Sequence, residues 1–181
     1  MTRNLQELNK LHPLISFKYC PQCGSNRFVE NNFKSNRCED CGFVYYFNSS
    51  AAVAAFITNS EGELLVVRRA KEPVKGTLDL PGGFVDLYET AEEAVIREVR
   101  EETGLLIRNP QYLFSLPNIY TYSKFDVHTI DLFYKCRITD LTGLQADDDA
   151  AELYFLPKKE IQPELFGLNS IRKAIEGYLN A

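Results

Sequence analysis

The sequence predicts an α/β domain with a mixed sheet, carried behind a short cysteine-bearing module. Strand-like apolar runs, "AAVAAFIT", "LLVVRR" and "IDLFYKCRI", are interleaved with two segments of helical periodicity. Four of the five cysteines fall in two Cys-x-x-Cys pairs near the start. A length of 181 residues suits one domain of ordinary size plus a small appendage.

Residues 1–19 read as a short helical or irregular lead-in, with leucines at helical spacing in "NLQEL". The cysteine module follows. Cys20 and Cys23 in "CPQC", then Cys38 and Cys41 in "CEDC", are separated by 14 residues, and Gly24 and Gly42 directly follow the pairs. Each pair presents two thiolates from one tight turn, and the glycine supplies the positive φ where the backbone turns back. This spacing points to a tetrahedral zinc site rather than to disulfides or a redox pair. Residues 20–47 hold too few apolar side chains for a core, so the metal would supply the missing stability. "FNSS" marks the expected boundary, between a lead-in and ribbon over 1–47 and a domain over 48–181.

"AAVAAFIT" and "LLVVRR" flank the turn "NSEGE", which is a hairpin signal. Residues 70–83, with Pro73, Gly76, Pro81, Gly82 and Gly83, read as a long connection. Thr90 caps a helix expected to run to about Thr103, with Gly104 as its stop. "NPQYLFSLPNIYTYS" reads as strand and loop, "FDVHTIDLFYKCRI" as strand, and "DLTGLQADDDAAELYFLP" as an acidic loop entering a strand. "LNSIRKAIEGYLN" reads as a closing helix with Ile171, Ala174, Ile175 and Tyr178 on one face. Cys136 reads as a buried core thiol. His128, alternating with apolar residues, reads as a sheet-face histidine with no assigned role.

Charge and composition narrow the function classes. The chain is 45% hydrophobic and 25% charged, which is globular. Its net charge of −5 gives no general attraction to nucleic acid or anionic membranes, so nucleic acid is an unlikely partner. There is no apolar run of about 18 residues to span a membrane, and the polar start lacks the core of a secretory signal. The chain reads as cytoplasmic.

Acidic side chains crowd the stretch from Glu89 to Glu102. With about 100° per residue, Glu102 lies about 40° to one side of Glu98 and Glu101 about 60° to the other, so the three share a face. Ile96, Val99 and Val95 lie on the adjoining face, while Arg97 and Arg100 point elsewhere. Helix geometry alone leaves two readings, a solvated acidic face or a set of oxygen ligands for a hard divalent cation.

The order of residues resembles the Nudix hydrolase signature at every defining position: Gly83-x5-Glu89-x7-Arg97-Glu98-Val99-x-Glu101-Glu102-x-Gly104-Leu105. The resemblance implies an α/β/α sandwich with a mixed sheet. It implies that Glu98 and Glu102 are the principal Mg²⁺ (or Mn²⁺) ligands, and that Glu101 is a further ligand or the general base. Glu89 would pair with Arg97 to fix the loop against the helix, and Gly82 and Gly83 would bring backbone close to the metal-bound phosphates. A late-loop carboxylate commonly completes the set; Asp149 and Glu152 are the candidates, each also readable as part of a solvated acidic loop.

The implied reaction is hydrolysis of a nucleoside diphosphate linked to another moiety. Divalent ions would neutralise the diphosphate and activate an attacking water. A zinc ribbon ahead of such a domain is similar to the NADH pyrophosphatase group. That group's Ser-Gln-Pro-Trp-Pro-Phe-Pro-x-Ser motif is partly kept in "SLPNIYTYS": Ser115, Pro117 and Ser123 match, and Tyr120 keeps an aromatic ring. Leu116, Asn118, Ile119 and Thr121 depart, so NADH, NAD, FAD and ADP-ribose all stay open. Tyr120 and Tyr122 either stack on a base or pack a strand or dimer interface. Arg69 beside Arg68 either binds the substrate or is a solvated strand end. RNA 5′-cap removal and a non-catalytic ligand sensor are the alternatives. Relatives of this kind are often homodimers, and no interface is legible here.

Overall fold

The computed structural model describes residues 12–138, 140–146 and 150–180. Internal contacts divide the chain into two units, Met1–Asn48 and Ser49–Ala181.

In the first unit, strands β1 (Phe28–Asn32), β2 (Ser35–Cys38) and β3 (Val44–Tyr46) form an antiparallel sheet in that order. Its core is small: Cys20, Phe28 and Cys38 are buried, with Phe43 packed on them. Gly24 and Gly42 take φ of +75° and +76°. Their N–H groups donate to the carbonyls of Cys20 and Cys38 at 2.8 and 3.0 Å, closing the two knuckles.

The second unit is an α/β/α sandwich. In chain order it contains β4 (Ser50–Thr58), β5 (Leu64–Arg69), β6 (Leu78–Asp79), β7 (Gly82–Phe84), α1 (Ala91–Thr103), β8 (Gln111–Tyr122), β9 (Phe125–Arg137), β10 (Ala150–Leu156) and α2 (Asn169–Asn180). The sheet runs β10-β5-β4-β9-β8, with β6 on β5 and β7 on β4. It is mixed because β4 and β9 are parallel while β5–β10 and β8–β9 are antiparallel.

Alternation along β4 separates two cores. Val53, Ala55 and Ile57 face α1, where Ala94, Val95 and Val99 pack on them with Leu65, Tyr134 and Cys136. Ala54 and Phe56 face α2, joining Leu64, Val66, Phe133, Ile171, Ala174 and Ile175. Among the described residues, no helix is long and apolar enough to cross a membrane.

Three local expectations change. "AAVAAFIT" and "LLVVRR" are joined by the expected turn, but β4 and β5 pair only at Thr58↔Leu64. They then diverge, and the expected connection over 70–83 supplies β6 and β7, which pair with them instead. "NPQYLFSLPNIYTYS" is not strand then loop: Gln111–Tyr122 is one strand. It accommodates Pro117 because β8 is a sheet edge, bonded to β9 alone, where a missing N–H costs little. Tyr120 and Tyr122 therefore stand on a strand. Glu152 likewise stands on β10 rather than in a loop.

Candidate active site and metal centre

Local sequence sets the frame of α1. Thr90 Oγ1 accepts from the Glu93 N–H, and the Glu93 carboxylate accepts from the Thr90 N–H, a reciprocal capping box. Gly104 ends the helix at φ +71°. Within this frame Glu98, Glu101 and Glu102 all line one cavity of about 290 Å³, together with Gly82, Gly83 and Arg97. Glu102 is buried, the Glu98 side chain is 16% exposed and that of Glu101 49%. Burial raises the Glu98 carboxyl above its ordinary range, against the pull of Arg97.

The turn before the helix has no room for side chains. The Gly82 N–H donates to Glu102 Oε2 at 3.0 Å, and a Cβ on Gly82 would lie 2.0 Å from the Val53 carbonyl oxygen. A Cβ on Gly83 would lie 2.5 Å from the Glu98 carboxylate.

Arg97 grips Glu89 with Nε and Nη2, both at 2.9 Å, and Nη2 also donates to the Phe84 carbonyl at 3.0 Å. Those bonds, Arg97 first, hold the Glu89 carboxyl below its usual range. The expectation that Arg97 points away from the glutamate face needs correction. Its Nη1 reaches Glu98 at 2.8 Å and Glu101 at 3.0 Å, because a planar fork on a long stem spans both sides of the turn. Even so, that one guanidinium is divided among the carboxylates of Glu89, Glu98 and Glu101. That excess of hard oxygen donors fits divalent cations.

The opposite wall carries Arg69, Asp79, Asn118, Tyr120, Thr129 and Asp131. Arg69 donates to Asp79 at 2.6 Å, to the Tyr120 hydroxyl at 3.1 Å and to the Pro73 carbonyl at 2.9 Å. Burial raises the Asp79 carboxyl, with Arg69 opposing. Of the candidates, the structure does not bring Tyr122 or Glu152 to this cavity. Tyr122 is 64% exposed, and Glu152 pairs with Arg68 at 2.9 Å. Asp149 lies outside the described residues.

Sequence reasoning missed Asp79, Thr129 and Asp131, and treated Asn118 only as a motif departure. The available signal was Thr129 and Asp131, two polar side chains at strand spacing within an apolar run.

In the first unit the sulfurs of Cys20, Cys23, Cys38 and Cys41 all lie within 4.8 Å of one another. Cys20–Cys41 and Cys23–Cys38 are 3.7 and 3.6 Å apart. A tetrahedron with metal–sulfur bonds near 2.3 Å has edges of about 3.8 Å, so the cluster fits such an ion and no disulfide joins it. The N–H groups of Cys41 and then Asp40 draw the Cys38 thiol down to about 6, against its burial.

The NUDIX domain family model matches residues 48–176. The chain belongs to the Nudix family. The chain is 36% identical over 132 residues to an ADP-ribose pyrophosphatase of Methanocaldococcus jannaschii, covering 71% of this chain and 68% of that protein. It is 31% identical over 106 residues to the NAD-capped RNA hydrolase NudC of Vibrio parahaemolyticus. That match covers 59% of this chain and only 40% of the longer NudC protein. A Nudix hydrolase structure from Nitrosomonas europaea superposes with a TM-score of 0.70 at 21% identity, over 90% of each chain, a likeness of fold.

Proposed function

We propose that this Nudix enzyme hydrolyses the diphosphate bond of ADP-ribose or an NAD-type dinucleotide with Mg²⁺ or Mn²⁺. The observation that carries the reading is the gathering of Glu98, Glu101 and Glu102 on one cavity with the glycine turn of Gly82 and Gly83. The names of relatives at 36% and 31% identity support the substrate class. Residues 1–47 are proposed as a Zn²⁺-clipped appendage on Cys20, Cys23, Cys38 and Cys41, and 48–181 as the hydrolase.

Glu98 and Glu102 would hold the divalent ions, with Glu101 beside them. When bound, such ions neutralise the diphosphate and polarise its phosphoryl oxygens. The chain's own residues do the rest. Glu89 clamps Arg97, which ties the Phe84 carbonyl and the glycine turn to α1. Gly82 and Gly83, having no side chains, would let the phosphates approach the turn closely. Glu101 Oε2 is held by Arg97, leaving Oε1 to accept the proton of the water that attacks phosphorus. The phosphorus–bridging oxygen bond breaks, and the bridging oxygen leaves on the departing phosphate.

NAD-capped RNA is a second reading, favoured by the NudC relatives. One experiment separates these: turnover of ADP-ribose, NADH, NAD, FAD and NAD-capped RNA by wild type and Glu102→Gln with Mg²⁺. Wild type cleaves at least one, and Glu102→Gln loses at least about a hundredfold in kcat/KM with its melting temperature kept. No turnover of any diphosphate, or full activity in the variant, overturns the reading.

A further inference from the structure

The wall opposite the glutamates is a built polar surface that hydrolysis itself does not employ. Asp131 is 6% exposed and lines the cavity. Its Oδ1 accepts from Thr129 Oγ1 at 2.6 Å and its Oδ2 from Ser170 Oγ, at the start of α2, at 2.5 Å. Each oxygen keeps a second lone pair. Among the described residues no cation pairs with Asp131, since Arg69 is engaged by Asp79.

Asn118 stands directly across from Thr129 in the β8–β9 register. It is 8% exposed, lines the same cavity, and its amide has no hydrogen-bond partner among the described residues. Ala52 lies beside Asp131 in the β4–β9 register, so a small side chain leaves room in front of the carboxylate.

A buried carboxylate that already takes two hydroxyls, next to an unpartnered amide, asks for a neutral group that donates to one and accepts from the other. A phosphate is repelled there, and a ring-nitrogen acceptor finds no donor on Asp131. Vicinal hydroxyls meet both demands, donating to the carboxylate and accepting from the amide; acidic residues hold ribose hydroxyls elsewhere in the same way.

We infer that Asp131, Thr129 and Asn118 bind a ribose of the substrate through its 2′- and 3′-hydroxyls, and so set a preference for ribonucleotides. The inference rests on the pyrophosphohydrolase reading for its substrate, but it is tested by binding rather than turnover.

Calorimetry with AMP, GMP, CMP and UMP in the presence of Mg²⁺ identifies the tightest ribonucleotide for the wild type. Its 2′,3′-dideoxy counterpart binds at least about tenfold more weakly, the weight of hydrogen bonds to a charged group. Its 2′-phosphorylated counterpart is rejected by a similar factor. In Asp131→Asn the ribo-to-dideoxy ratio falls below about threefold and the 2′-phosphate is tolerated. The wild-type comparison stands without any variant, and Asn118→Ala gives a second reading should Asp131→Asn misfold. Equal binding of ribo and dideoxy forms, an unchanged ratio in the variants, or no ribonucleotide binding overturns the inference. Absent turnover with ribose-dependent binding intact would sink only the hydrolysis reading.

Discussion

At the residue scale, one ion pair carries the junction between the glycine turn and α1. Glu89 receives two bonds from Arg97 and one from the Asp86 N–H, and its carboxyl is held below its ordinary value near 4.5. A depressed carboxylate contributes stability that is present above its unfolded value and lost as pH falls through its lower folded value. Glu89→Gln should therefore destabilise the Nudix unit by on the order of 1–3 kcal/mol at neutral pH. Thermal melts should show that deficit shrinking as pH falls below the ordinary carboxylate value near 4.5. A deficit of constant size across that range would mean the charge of Glu89 is not what stabilises the turn. The shared face of Glu98, Glu101 and Glu102 was legible in helix spacing; the Glu89–Arg97 pair was legible only through the resemblance, because Glu89 lies ahead of the helix. Asp131 was not. Its partner Ser170 lies 39 residues away, and no local pattern joins a strand carboxylate to a serine on the last helix.

At the scale of elements, the two glycines of β7 are distinguished by what surrounds them. Gly82 faces backbone: a Cβ there would press on the Val53 carbonyl, on the strand that β7 pairs with. Gly83 faces the movable end of the Glu98 side chain. Gly82→Ala should cost stability, about 2 kcal/mol or more, by parting β7 from β4. Gly83→Ala should leave the melting temperature within a few degrees, yet lower kcat/KM about tenfold or more by displacing Glu98. Equal effects of both substitutions on stability would contradict this division. The limits of α1 could be read in advance because Thr90, Glu93 and Gly104 satisfy the backbone locally. The extent of β8 could not. Pro117 and the mixed polarity of the segment suggest a loop until the edge position of the strand is known. The partial β4–β5 pairing was hidden for a related reason, since competing strands β6 and β7 come from a segment rich in turn residues.

For the whole molecule, the cysteines report separately on the two units. Four sulfurs cluster in the first, where a core as small as Cys20, Phe28, Cys38 and Phe43 would make a bound metal ion the main source of stability. The fifth, Cys136, lies in the core between the sheet and α1, where burial pushes its thiol up to about 12. Thiolate is the reactive form, so Cys136 should stay silent toward a thiol reagent at pH 8 while the native fold holds. In the zinc-loaded protein no thiol should titrate quickly. After a strong chelator removes the metal, the four ribbon thiols should react and the fifth should not, with hydrolytic activity restored on returning Mg²⁺. Five fast thiols after chelation would show that the Nudix unit depends on the ribbon for its fold. Four before chelation would mean that the cysteine cluster holds no ion.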